Sequence, residues 1–258
     1  MRQPVVIANW KMNMTLFESE EFVQRFKEED VGGSGIEMVI CPSYIALPSL
    51  SVLLQKLSTS LLLGAQNMYW EKSGAFTGEI SPLMLRELGV RYVITGHSER
   101  RSYFGETDED VGKKAQAAYA LGMIPVICVG ENEAERQAGK TEEVIGRQLL
   151  TAVASLEQET DRRRLLVAYE PVWAIGTGVP ARAEDAAVVA ACIRSRLHEK
   201  WGEAAADVRI LYGGSVNPEN ITEFTGRPGI DGALVGNSSL KPASFAAMVR
   251  AVYAERKG

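Results

Sequence analysis

The sequence predicts an α/β protein folded as a (β/α)8 barrel, and three observations carry that expectation. Short apolar runs alternate with segments of helical periodicity eight times along the chain, at roughly thirty residues per unit. The strand-like runs are apolar almost without a break, which suits strands covered on both faces in a parallel sheet. The length, 258 residues, is what eight such units occupy. An open, doubly wound sheet is the rival, since it shares the same alternation.

Residues 5–8 (Val-Val-Ile-Ala) are the first strand. Leu16, Phe17, Phe22, Val23 and Phe26 then recur at helical spacing across 16–29. Residues 38–41 make the second strand, with a helix over 46–57, and 61–65 the third. A long connection, 66–81, ends where Pro82 opens a helix, because a first-turn residue needs no bonded N–H. Strand four is 91–95 and its helix 108–121; strand five is 123–129 and its main helix 142–156. Strand six, 165–169, leads to a long helix over 183–201. Strand seven is 208–212, with a short helix after Pro218, and strand eight is 232–235, closed by a helix over 242–254. No linker or residue-level repeat divides these units, so 1–258 reads as one domain.

Composition narrows the function classes. A net charge of −5 with no long basic run gives no support to nucleic-acid binding, so an anionic ligand would need local groups to attract it. The longest near-apolar run, 121–130, is far too short to span a membrane. Met1-Arg2-Gln3-Pro4-Val5 has no signal-peptide core, which points to the cytoplasm. Cys41, Cys128 and Cys192 are odd in number and far apart, as reduced thiols are, and no His/Cys/carboxylate spacing suggests a metal site.

On a (β/α)8 barrel the active site lies at the C-terminal ends of the strands, so residues directly after strands converge. Asn9 and Lys11 follow strand one, His97 and Glu99 strand four, and Glu170 strand six. Gly213-Gly214-Ser215 follows strand seven and Gly236-Asn237-Ser238 strand eight. A base, an imidazole, a cation and two clusters of open backbone N–H groups would then share one mouth. Viewed alone, Lys11 is an ordinary surface lysine and His97 a hydrogen-bonded loop histidine; their place straight off buried strands favours the site. Gly96 would release strand four into a helical turn, whose N-terminus disfavours an imidazolium and keeps His97 neutral. Paired helix starts after strands seven and eight would bind an anion, against the plainer reading of two left-handed turns.

The stretch 168–178 (Ala-Tyr-Glu-Pro-Val-Trp-Ala-Ile-Gly-Thr-Gly) puts a carboxylate at a strand end, a proline after it, then an apolar loop ending in glycines. It reads as a lid that closes and expels water, or else as a buried connection. Two nucleotide motifs fail. Gly139-Lys140-Thr141 has Ala134 where a P-loop needs glycine, and Gly176 and Gly178 lack a dinucleotide fingerprint's third glycine.

Five segments occur in the same order in triosephosphate isomerases. They are 9–13 (Asn-Trp-Lys-Met-Asn), 74–81 (Gly-Ala-Phe-Thr-Gly-Glu-Ile-Ser), 95–101 (Thr-Gly-His-Ser-Glu-Arg-Arg), 168–178 and 212–216 (Tyr-Gly-Gly-Ser-Val). From residue 5 to 254 the chain resembles that family, whose fold is the TIM barrel. The resemblance implies an isomerase that interconverts dihydroxyacetone phosphate and D-glyceraldehyde 3-phosphate through an enediol(ate), in glycolysis and gluconeogenesis, without cofactor or metal. It implies Glu170 as base and neutral His97 as the electrophile polarising the carbonyl. Lys11, with Asn9 beside it, would offset charge on the substrate and enediolate, and Glu99 would orient that cation. Gly176, Ser215, Gly236 and Asn237 would offer backbone N–H groups to the phosphate.

A base working beside a carbonyl needs its pKa raised by water exclusion, and Ile175 and Leu234 are the candidates for the apolar pair pressing on Glu170. The resemblance also implies a homodimer through the loop 66–81, with Thr77 at its tip. Phe76 among glycines suits docking better than a floppy excursion. Two departures stand out. The family's usual Gly-Gly is Gly236-Asn237 here; the N–H survives and asparagine tolerates positive φ, so phosphate binding should persist. Val179-Pro180-Ala181 stands where Lys-Thr-Ala is frequent, and Pro180 would alter closing kinetics without abolishing activity.

Two other classes compete. One is a different phosphosugar isomerase or an aldolase on the same fold; an aldolase would need a Schiff-base lysine at mid-barrel, and strand six carries none. The other, a non-catalytic phosphosugar binder, would have no use for Lys11, His97 and Glu170 together.

Overall fold

In the computed structural model, which describes residues 2–29, 31, 35–156, 161–175 and 181–257, eight parallel strands close into a barrel in sequence order. They are β1 (Val5–Asn9), β2 (Glu37–Cys41), β3 (Leu61–Ala65), β4 (Tyr92–Thr95), β5 (Ile124–Val129), β6 (Leu166–Tyr169), β7 (Arg209–Tyr212) and β8 (Gly232–Val235). The helices are α1 (Leu16–Lys27), α2 (Leu47–Leu57), α3 (Pro82–Glu87), α4 (Ser98–Phe104), α5 (Asp108–Ala120), α6 (Glu133–Gln137), α7 (Thr141–Ala152), α8 (Ala183–Trp201), α9 (Ile221–Thr225) and α10 (Pro242–Lys257). Pairing of β1 with β8, Val5 opposite Gly232, closes the ring and excludes the open-sheet rival.

The two-residue period of the strands explains why they read as unbroken apolar runs. Val5, Ile7, Val39, Tyr92, Ile94, Val126, Leu166 and Leu211 belong to one buried cluster, which fills the barrel. Their neighbours Val6, Ala8, Met38, Ile40, Val93, Ile127, Val167 and Ile210 belong to a second cluster, packed against the helices. Burying each Val, Leu or Ile contributes about 1.5–3 kcal/mol, and both faces of every strand collect that term.

At the N-terminal end of the barrel, Tyr92 donates its hydroxyl to Glu37, and Arg209 pairs with the same carboxylate. Helix entries are set locally. Thr15 with Glu18, Thr107 with Asp110 and Asn132 with Glu135 each form a capping box, opening α1, α5 and α6.

Strand boundaries differ from the sequence reading mostly by a single residue; Asn9, for one, belongs to β1. α4 is the helical turn expected after Gly96, running on to Phe104, whereas α6 lies outside the expected elements because Glu-Ala-Glu-Arg-Gln carries no apolar stripe. The helix expected to run to residue 156 stops at Ala152. No helix among the described residues is long and apolar enough to cross a membrane.

Candidate active site

The barrel's own ladder fixes where the key carboxylate leaves the sheet. Glu170 follows β6, and its N–H bonds the Val129 carbonyl at 2.8 Å. Gly213, just past β7, donates to the Tyr169 carbonyl at 2.7 Å. A Cβ on Gly213 would lie 3.0 Å from the Glu170 Cγ, so glycine lets this loop run close without pushing on the carboxylate. Gly96 takes φ +73° to turn the chain out of β4, and His97 caps α4.

Glu170 is 2 % exposed. Its Oε1 lies 2.9 Å from the Nε2 of His97, and its Oε2 accepts the Ser98 N–H at 2.8 Å. The Glu99 N–H points at Nδ1 of His97 from 3.3 Å, so Nδ1 acts as acceptor and the ring proton sits on Nε2, facing the carboxylate. Burial opposes a charge on the ring, but the carboxylates of Glu170 and Glu99 outweigh it and lift the imidazole above its ordinary pKa. The Glu99 N–H fixes which nitrogen carries the proton in the neutral ring, but the lifted pKa runs against the neutral state expected from the helix start alone.

The rise in the Glu170 pKa expected from drying is absent from this arrangement. Burial pushes the carboxyl up, but His97, the Ser98 N–H and Lys11 together hold it below the ordinary carboxylate value. Donors to the ionised form win over desolvation.

Lys11 leaves β1 at φ +52°, a region that residues with a Cβ seldom occupy. Its N–H bonds Asn9 Oδ1 at 3.1 Å, and Gln66 Nε2 donates to the Lys11 and Cys41 carbonyls at 2.8 and 2.9 Å. The clamp aims the ammonium at Glu99, with Nζ 2.8 Å from Oε1. Sequence reasoning missed Gln66 as part of the site; its place directly after β3 was the available signal.

One cavity of about 470 Å³ takes in Asn9, Lys11, His97, Glu170, Ser215, Gly236 and Asn237, with Ile175 and Leu234 also on its wall. Glu99 stands behind Lys11. Gly176 lies outside the described residues, as do Thr177, Gly178, Val179 and Pro180, and with them the lid and its hinge. The described half of that loop packs down: Val172–Ala174 is a 3-10 turn with Ala174 buried. Trp173 Nε1 donates to Glu131 Oε1 at 2.9 Å, beneath the Arg136 guanidinium at 4.0 Å from the ring centre.

The anion end departs from the expected paired helix starts. A 3-10 turn, Asn237–Leu240, does follow β8, but after β7 the chain bends through Gly214 and Ser215 and α9 begins only at Ile221. Neither Gly236 nor Asn237 takes a positive φ, so asparagine's tolerance of one is not called on. Among the described residues nothing accepts from the N–H groups of Ser215, Gly236 or Asn237. Open donors of this kind receive anions.

A buried carboxylate and an imidazole, facing each other beside an ammonium, can move a proton next to a polarised carbonyl. That is isomerase chemistry on a (β/α)8 barrel. The model of the triosephosphate isomerase family matches residues 4–252, and the chain belongs to that family. It is 52 % identical to the triosephosphate isomerase of Dictyoglomus thermophilum over 246 residues, 95 % of this chain and 98 % of the relative. Identity to the enzyme of Moorella thermoacetica is 51 % over 249 residues, 96 % of this chain and 98 % of that one. The Symbiobacterium thermophilum enzyme is 51 % identical over 252 residues, 97 % of each chain. The protein is an isomerase of dihydroxyacetone phosphate and D-glyceraldehyde 3-phosphate, a step of glycolysis.

Proposed function

We propose that Glu170 removes a proton from one carbon of the bound triose phosphate and returns it to the neighbouring carbon. As the C–H bond breaks, its electron pair forms the carbon–carbon double bond of the enediolate and negative charge moves to the carbonyl oxygen. The Nε2–H of His97 and the ammonium of Lys11, with Asn9 beside it, meet that charge. Glu99 orients Lys11. The N–H groups of Ser215, Gly236 and Asn237, with Gly176, hold the phosphate. The reading asks for no metal and no cofactor.

The observation that carries it is the 2.9 Å approach of buried Glu170 to His97 within the cavity that also takes in Lys11. To reach a C–H bond, Glu170 must exchange the Ser98 and His97 donors for substrate. Burial then weighs on the carboxyl with only the Lys11 charge against it and makes it a stronger base. β6, Leu-Val-Ala-Tyr, offers no Schiff-base lysine, which weighs against an aldolase. A coupled isomerase assay of wild type beside Glu170→Gln tests the assignment. A fall in kcat of about 10²–10⁴-fold with unchanged melting is expected, and undiminished turnover would overturn it.

We also infer a homodimer formed through the loop 66–81, working in the cytoplasm, with 1–258 as one catalytic domain. Large apolar side chains left exposed after the first four strands support the dimer: Met12 and Phe17 after β1, Ile45 after β2, Phe76 and Met84 after β3, Tyr103 and Phe104 after β4. Residues 71–79, Thr77 among them, are all exposed.

A further inference from the structure

We propose that the side-chain carboxamide of Asn237 donates a hydrogen bond to the substrate phosphate, adding to the backbone N–H groups and selecting substrates by their phosphoryl end. The inference rests on the site reading above, which puts the phosphate between the β7 and β8 loops.

β1 and β8 pair with Ala8 opposite Val235, so the two chains leave the barrel side by side. One carries Lys11, the other Gly236 and Asn237. They stay in touch beyond the sheet: a Cβ on Gly236 would lie 3.4 Å from Lys11 Cε and 3.7 Å from Nζ. Asn237 therefore stands where a strand-end cation and two open N–H groups meet. Its side chain is exposed, borders the 470 Å³ cavity, and bonds nothing among the described residues.

That freedom sets it apart from the other asparagines. Asn67 accepts from the distant Lys114 ammonium, and Asn9, Asn13, Asn132, Asn217 and Asn220 each spend a side-chain atom on a local bond, to Lys11, Trp10, Glu135, Glu219 and Ser215 respectively. An asparagine in a tight turn ordinarily does the same. Asn237 keeps both N–H donors of its amide unspent, at the rim of an anion site.

The chemistry suits a phosphate monoester dianion. Its three terminal oxygens accept more bonds than three backbone N–H groups fill, and a neutral amide adds donors without adding charge for Glu99 to capture. Aspartate, nearly the same shape, would remove those donors and set a negative charge against the phosphate.

KM for the triose phosphate and Ki for inorganic phosphate, with melting temperature, should be measured in wild type, Asn237→Ala and Asn237→Asp. Loss of a bond to a charged acceptor at this exposed position should raise KM and Ki about ten-fold in Asn237→Ala, with kcat held. Asn237→Asp should raise both further. KM and Ki left at wild-type values in both variants would overturn the proposal. So would a joint fall of kcat and melting temperature in Asn237→Ala, the mark of a structural role. Failure of inorganic phosphate to compete in wild type would instead sink the site reading itself.

Discussion

Two donors, the Ser98 N–H and the Nε2–H of His97, hold the Glu170 carboxylate ionised before any substrate arrives. The pH dependence follows from the sign of that effect. A carboxyl held below its ordinary value stays ionised, and so able to take a proton, well into the acid range. In kcat/KM, which reports the free enzyme, the step belonging to Glu170 should fall below the ordinary carboxylate pKa, and that of His97, lifted by the two carboxylates, should come first on acidification. The same depression adds stability above the unfolded pKa that is lost as pH falls through the folded one. A pH profile of kcat/KM checks this, and a limb near neutrality assigned to Glu170 would contradict it. The kcat limb, reporting the complex in which the two donors have been exchanged for substrate, should lie higher.

Short loops, more than helices, position the chemistry. The β7 loop approaches the base without pushing on it because Gly213 has no side chain, its virtual Cβ standing 3.0 Å from Glu170 Cγ and 3.2 Å from the Tyr169 carbonyl. Gly213→Ala must therefore displace the carboxylate or the loop. Kinetics and calorimetry should record a loss of kcat of up to about 10²-fold, with melting changed far less than activity. Wild-type kcat in that variant would mean that the loop has room to give. The legible elements were those whose local chemistry matched their fate. All eight strands could be read because both faces are buried and the apolar runs are unbroken. That Lys11, His97 and Glu170 meet at one cavity could be read because each lies within two residues of a strand end. α4 could be read as a turn after Gly96 but not in its extent, since Ser98–Phe104 carries no apolar stripe, and α6 escaped for the same lack. Gln66 escaped because its bonds go to carbonyls of two other strand ends, partners that are distant in sequence. The lowered pKa of Glu170 could not be read either, because the Ser98 N–H that helps to set it lies 72 residues away.

As a whole the barrel leaves one flank unfinished. The exposed apolar side chains after β1, β2, β3 and β4 are what a second copy would cover, since a monomer seldom leaves so many large ones on one side. Sedimentation should give a particle of twice the 28.2 kDa chain mass. Phe17→Asp, which places a charge in that flank, should yield monomers of reduced activity. A fully active wild-type monomer would contradict the dimer.

The polar knot of Glu37, Tyr92 and Arg209 closes the end of the barrel away from the substrate. It ties β2, β4 and β7 together, and Arg209 also donates to the Arg163 carbonyl in the turn before β6. Resistance to unfolding and turnover are thereby lodged at opposite poles of the same eight strands. Damage to the knot should loosen the molecule while sparing its chemistry, since uncovering one buried charge typically costs about 3–5 kcal/mol. Loops at the opposite pole, by the same token, are free to be rebuilt for another substrate without dismantling what keeps the ring shut.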